Sequence, residues 1–138
     1  MLIDEVRKFL GEGGRLSKAM PSYEYRQQQL AMSEAVAAAL TEGCHLMVEA
    51  GTGVGKSLAY LIPSILFAVA KKKKAVVSTH TINLQEQLTR KDLPLLAQIL
   101  PVKFDYTMLK GRGNYLCLRR LSKAMHQAGS LFTSPETE

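Results

Sequence analysis

The sequence predicts an α/β domain, a mainly parallel sheet flanked by helices, and three observations predict it. A glycine-rich run, Ala50-Gly51-Thr52-Gly53-Val54-Gly55-Lys56-Ser57, joins a short apolar segment, Leu46-Met47-Val48, to a long apolar helical pattern. A second apolar segment, Ala75-Val76-Val77-Ser78, follows that helix without alternating, as a strand buried on both faces does. Strand, helix and strand in that order make a right-handed crossover, which sets the glycine run at the carboxyl edge of the first strand.

Taken in order, Ile3 to Leu10 reads as a short helix, and Gly11-Glu12-Gly13-Gly14 as a turn leading to Pro21. From Arg26 to Leu40 the residues Met32, Val36, Ala39 and Leu40 give a helical stripe that ends near Gly43. The first strand covers His45 to Glu49. The helix after the glycine run reaches Ala70, and Leu58, Leu61, Ile62, Ile65, Leu66 and Val69 make so much of it apolar that it should be largely buried. Lys71 to Lys74 form a basic turn before the second strand. A helix from Ile82 to Arg90 follows, then one opened by Asp92 as N-cap to Leu93 and Pro94. A strand around Lys103 to Leu109, with Phe104, Tyr106 and Met108 on one face, completes the alternation. From Ser130 to Glu138 the composition turns to Ser, Thr, Pro and Glu, which predicts a frayed end.

The composition, 46% apolar and 22% charged over 138 residues, is that of one soluble globular domain. The first residues carry Asp4 and Glu5 where a leader peptide needs basic residues, and no long apolar core follows, so a cytoplasmic chain is expected. The most apolar stretch, Leu58 to Ala70, is too short and too interrupted by Tyr60, Pro63 and Ser64 to cross a bilayer, and no membrane partner is expected. Two cysteines exclude a disulfide framework, and Cys44 reads as a small core residue. The net charge of +6 is uneven: residues 1–70 hold 6 Lys/Arg and 7 Asp/Glu, residues 71–138 hold 12 and 5. A basic half beside a phosphate-binding loop points to a nucleic-acid partner.

The glycine run has the chemistry of a phosphate cradle. Gly51, Gly53 and Gly55 let successive backbone N–H groups turn onto polyphosphate oxygens. Lys56 reaches the β- and γ-phosphates, Ser57 offers its hydroxyl to Mg²⁺, and the helix that starts here aims its positive end at the same anion. Ala50 stands where the first glycine of this pattern is usually written, a site that asks for a small residue more than for a positive φ.

Four patches in sequence carry a resemblance to the DinG-type, XPD-like branch of the superfamily-two DNA helicases. Tyr25-Arg26-Gln27-Gln28-Gln29-Leu30-Ala31-Met32 is similar to the family's Arg-x-x-Gln adenine-side motif, with Gln27 where members often have proline. Glu49 to Pro63 resembles its motif I and following helix. Val77-Ser78-Thr79-His80-Thr81 with Leu84-Gln85-Glu86-Gln87-Leu88 resembles motif Ia, continued by Lys91 to Leu96. Lys110-Gly111-Arg112-Gly113-Asn114-Tyr115-Leu116-Cys117 resembles the segment leading into the iron–sulfur region.

The resemblance spans residues 16 to 123 and implies a partial RecA-like P-loop domain. Residues 1–22 are then a lead-in, 23–123 part of an ATP-binding motor lobe and 124–138 a disordered tail. It implies ATP and Mg²⁺ as cofactors, with Arg26 and Gln29 at the adenine and residues Ala50 to Ser57, including Thr52 and Val54, around the phosphates. Single-stranded or forked DNA would meet Thr79, His80, Thr81, Gln85, Lys110 and Arg112, in an enzyme unwinding in the 5′-to-3′ direction. No Asp-Glu-x-His box follows the loop, so the chain reads as the N-terminal part of such an enzyme, by truncation, design or a split gene. It would be inactive without the rest of the first lobe and a second RecA-like lobe.

Alternatives stay open from the residues alone: a non-catalytic nucleotide- or nucleic-acid-binding module, or a small P-loop kinase. Thr81 suits a helix cap as well as a DNA contact. Lys110, Arg112, Arg119, Arg120 and Lys123 around Tyr115 suit a backbone-tracking groove or a solvated basic helix. Cys117 is either a small buried residue on a helix from Leu116 to Gln127 or, as the resemblance implies, a ligand of a [4Fe–4S] cluster in a longer parent. A cluster needs four thiolates, and these 138 residues hold two cysteines.

Overall fold

The computed structural model describes residues 1–131. Residues Met1–Thr107 form one compact unit, and those from Met108 onward a second. The first holds α1 (Leu2–Leu10), α2 (Arg15–Ala19), α3 (Gln27–Glu42), α4 (Lys56–Lys71), α5 (Ile82–Gln87), a π-helical turn (Leu88–Asp92) and α6 (Leu93–Ile99). The second holds a 3₁₀ turn (Arg112–Asn114) and α7 (Leu118–Leu131).

No strand or sheet exists among the described residues, which overturns the expected α/β architecture with its parallel, RecA-like sheet. All three segments with strand-like composition, His45–Glu49, Ala75–Ser78 and Lys103–Leu109, lie outside regular structure. The physical reason is coverage: a parallel strand is stable when neighbours satisfy its backbone and helices cover both its faces. Here Met47 is 97% exposed and Val76 91%. The apolar helix faces have instead packed on one another.

That helical packing forms the core. Helix α1 places acids, Asp4 and Glu5, in its first turn and bases, Arg7 and Lys8, in its last, matching the helix dipole. Its inner face buries Val6, Phe9 and Leu10, joined by Leu16 of α2. The Arg15 guanidinium stacks over the Phe9 ring at 5.2 Å. Arg7 Nε donates to Glu34 Oε1 of α3 at 2.5 Å, and Glu34 holds the guanidinium pKa above its ordinary value.

Helices α3 and α4 make the most extensive contact of the unit. Helix α4 buries Ala59, Leu61, Ile62, Pro63, Ile65 and Leu66, as its composition predicts. The face that α3 buries differs from the predicted stripe. Gln29, Ser33 and Ala37 are buried alongside Ala39, while Met32, Val36 and Leu40 are half-buried. Small side chains one turn apart let the two helix backbones approach, and larger ones settle beside the contact. Gly43 ends α3 in the left-handed conformation at φ +71°, as the sequence expects.

Thr81 caps α5, its hydroxyl accepting the Leu84 N–H at 3.3 Å. Asp92 is not the expected N-cap. Its φ of −72° and ψ of −48° are helical, because the chain runs from α5 through the π-helical turn into α6 without a break. Its buried carboxylate accepts from Gln87 Nε2 at 3.1 Å instead.

Both cysteines are exposed, which corrects the reading of Cys44 as a core residue and of Cys117 as a buried helical one. Cys117 precedes α7, and its carbonyl accepts the Leu121 N–H at 2.9 Å. Helix α7 continues through position 124 to Leu131, and the rest of the frayed end read from Ser130 lies outside the described residues. No described helix is long and apolar enough to cross a membrane.

Candidate phosphate-binding site

The glycine run forms an open loop into the first turn of α4. Gly53 and Gly55 sit at φ +83° and +81°, conformations that favour glycine. Gly55 is the N-cap of α4, and its carbonyl accepts the Ala59 N–H at 3.3 Å, the first bond of the helical ladder.

Side chains hold the loop by its carbonyls. Lys56 Nζ donates to Ala50 O at 2.9 Å and to Gly51 O at 2.7 Å. From the start of α3, Arg26 Nη1 donates to Gly53 O at 2.6 Å and Gln29 Nε2 to Gly55 O at 2.9 Å. In a trans peptide the C=O and the next N–H point in opposite directions. The N–H groups of Gly51, Thr52, Val54 and Lys56 are thereby turned away from these donors. The ammonium of Lys56 has three donors, two of which serve the loop.

Gln29 is 1% exposed, and its Oε1 accepts from the Tyr23 hydroxyl at 2.5 Å. A Cβ on residue 55 would collide with Gln29 Nε2, so helix α3 and the loop meet with no space between them there. Burial raises the Tyr23 pKa above its ordinary value of 10.0, against the lowering effect of the Arg26 charge.

Ser57, half-buried in the first turn of α4, lies beside Tyr60. Burial raises the Tyr60 pKa; a hydrogen bond with Ser57 works against the rise and the charge of Asp92 adds to it. Beside the loop an open cleft of about 500 Å³ is lined by Ala31, Met32, Ala35, Val48, Glu49 and Val54, among others.

The structure thus brings together Arg26, Gln29, Ala50, Gly51, Thr52, Gly53, Val54, Gly55, Lys56 and Ser57, which the sequence assigns to one site. Thr79, His80, Thr81 and Gln85 stand apart at the start of α5, where Thr79 Oγ1 donates to Thr81 O at 3.3 Å and His80 is exposed. Lys110 and Arg112 belong to the second unit, where the Tyr115 hydroxyl accepts the Lys110 backbone N–H at 2.9 Å. Sequence reasoning missed Tyr23. A tyrosine in a connection has no periodicity to mark its partner, although its place six residues before Gln29 was visible.

A nucleotide polyphosphate fits this loop in its chemistry: glycines at positive φ, and an ammonium at the start of a helix. Ser57 provides a hydroxyl of the kind that holds Mg²⁺ at such sites. An iron–sulfur cluster does not fit, because Cys117 has one other cysteine in the whole chain and four thiolates are required. Among the described residues no group of three or more His, Cys, Asp or Glu is placed to hold a metal ion.

A phosphate-cradling loop held by the helix before it defines a P-loop nucleotide-binding protein. Residues 26–136 match the DEAD/DEAH box helicase family, and the chain belongs to that family. It is similar to the ATP-dependent DNA helicase YoaA of Escherichia coli strain K12, 44% identical over 86% of this chain and 18% of that protein. The ATP-dependent helicase DinG of Mycobacterium tuberculosis strain H37Rv is 48% identical over 72% of this chain and 16% of that protein. The 3'-5' exonuclease DinG of Bacillus subtilis strain 168 is 39% identical over 85% of this chain and 13% of its own length. The chain spans less than a fifth of each of these relatives.

Proposed function

We propose that this chain is the nucleotide-cradling part of an ATP-dependent DNA helicase of the DinG and YoaA kind. The observation that carries the reading is the set of four loop carbonyls held by Arg26, Gln29 and Lys56, which leaves the backbone N–H groups to a polyphosphate. Family membership and the helicase names of the relatives supply the reaction class.

In this reading Lys56 leaves the Ala50 and Gly51 carbonyls and turns its ammonium to the phosphates, exchanging those two bonds for charge-assisted ones. Ser57 turns its hydroxyl to Mg²⁺, which when bound neutralises the charge that develops on the transferred phosphoryl group. The apolar cleft beside α3 and Val54 takes the base. No Asp-Glu-x-His box occurs in the sequence to orient water, so these residues bind nucleotide without turning it over. Single-stranded DNA meets Thr79, His80, Thr81 and Gln85, and in the second unit Lys110 and Arg112. In the whole enzyme, acting in the cytoplasm, ATP use moves the protein 5′-to-3′ along a strand.

Calorimetric titration of the purified chain with MgATP tests the assignment. Wild type binds, and Lys56→Ala loses about 1.5 to 3 kcal/mol of affinity, the contribution of hydrogen bonds to a charged group. Equal affinity in the two proteins overturns the phosphate cradle.

A further inference from the structure

The least accessible polar side chain of the site is also the one held at both ends. Gln29 is 1% exposed, accepts from Tyr23 and donates to Gly55. A carboxamide can be turned end for end, and its partners decide which way it stands. The Gly55 carbonyl is acceptor only, so the NH₂ group must face it; an oxygen turned there would oppose oxygen. Oε1 then faces Tyr23, whose hydroxyl must donate. The chain of donation has one direction: Tyr23 to Gln29 to Gly55.

Resting on the phosphate-cradle reading, we infer that Tyr23 is a positioning residue for the phosphate loop, acting through Gln29 on the affinity for polyphosphate and not on the choice of base. With Tyr23 removed, Oε1 of Gln29 becomes a buried acceptor without a donor, a costly state relieved when the side chain swings toward water. The Gly55 carbonyl then keeps only the Ala59 N–H at 3.3 Å, and the tie between α3 and the loop is lost. One N–H and one lone pair of the Gln29 amide are committed to Gly55 and Tyr23, and the side chain is 1% exposed, so in this state the amide is engaged in holding the loop.

Tyr23→Phe deletes the hydroxyl alone. Calorimetry of MgATP and of magnesium tripolyphosphate, which has no base, is compared in wild type and variant at a temperature where circular dichroism finds both folded. The expected result is a loss of about tenfold for both ligands, with the ratio of the two affinities unchanged. A loss for MgATP alone, or none for either ligand, overturns the inference and leaves the cradle standing. Tripolyphosphate binding that is absent from wild type overturns the cradle and the inference together.

A second variant tests the other end of the chain of donation, under the same check by circular dichroism. Gln29→Glu keeps an acceptor for Tyr23 but sets an anionic oxygen against the Gly55 carbonyl, and the same paired loss is expected. Unchanged tripolyphosphate affinity in Gln29→Glu overturns the inference. In ligand-free Tyr23→Phe the backbone amide resonances of Val54 and Lys56 should shift, a readout that loss of packing at position 23 alone would leave in place.

Discussion

Gln29 Nε2 occupies the space in which residue 55 would carry a side chain, and the same nitrogen donates to the residue 55 carbonyl at 2.9 Å. Glycine at 55 is thus required twice, by its φ of +81° and by its neighbour on α3. The contact ties the start of one helix to the start of another, and the loop's shape is set where they touch.

Gly55→Ala should therefore cost both stability and ligand affinity. A left-handed alanine is strained by roughly 1–2 kcal/mol, and the methyl group also displaces the Gln29 amide. Urea denaturation should register at least the strain, and MgATP titration a further loss. Gly53→Ala shares the positive φ but meets open space, and should show the strain without the displacement.

Removal of the Phe9 ring should unfold much of the first unit. Phe9 is fully buried between α1 and its neighbours, and Phe→Ala in a core costs about 3–5 kcal/mol. A thermal melt of Phe9→Ala that matches wild type would mean that residues 1–22 stand outside the cooperative core.

Alkaline pH should loosen the molecule through two phenols. Burial raises the folded-state pKa of Tyr23 and of Tyr60 above the unfolded value near 10. The neutral phenols' contribution is fully present below that unfolded value, and it is lost as pH rises through the higher folded-state value. Urea midpoints measured from pH 8 to 11 should fall at the alkaline end, and the fall should shrink in Tyr23→Phe and Tyr60→Phe.

The basic residues of the second unit should bind single strands weakly and without sequence preference. Each phosphate neutralised adds about −0.7 to the slope of log affinity against log salt. Glutamates in place of Lys110 and Arg112 should reduce both affinity and slope in fluorescence anisotropy. Binding that is indifferent to salt would return these residues to an ordinary solvated surface.

The site was more legible in the sequence than the fold. Glycines at 51, 53 and 55 before Lys56 and Ser57 declare a local device, and local chemistry needs few distant partners to be read. The position of Gln29 was visible, but its two hydrogen bonds were not, since they depend on Tyr23 and on how closely α3 meets the loop. Helices α1, α3 and α4 followed from periodicity because each helix satisfies its own backbone. The strands did not form, because Leu46-Met47-Val48 and Ala75-Val76-Val77-Ser78 depend on pairing that composition alone does not provide. Asp92 failed as a cap for a similar reason: Asp before Leu-Pro is a sound start signal, and the packing of Leu88 and Leu96 carries the helix straight through it.

The π-helical turn at Leu88–Asp92 holds one more residue than an α-helical turn would in the same place. It works as a phase absorber. Each residue of an α-helix advances about 100°, and the wide turn takes up the surplus residue so that Leu96 and Leu100 still reach the interior. Wound as a regular α-helix, the same residues would turn everything from Leu93 onward by about 100°, bringing Leu95 toward the interior in place of Leu96. Winding, in this stretch, is as strictly determined as composition.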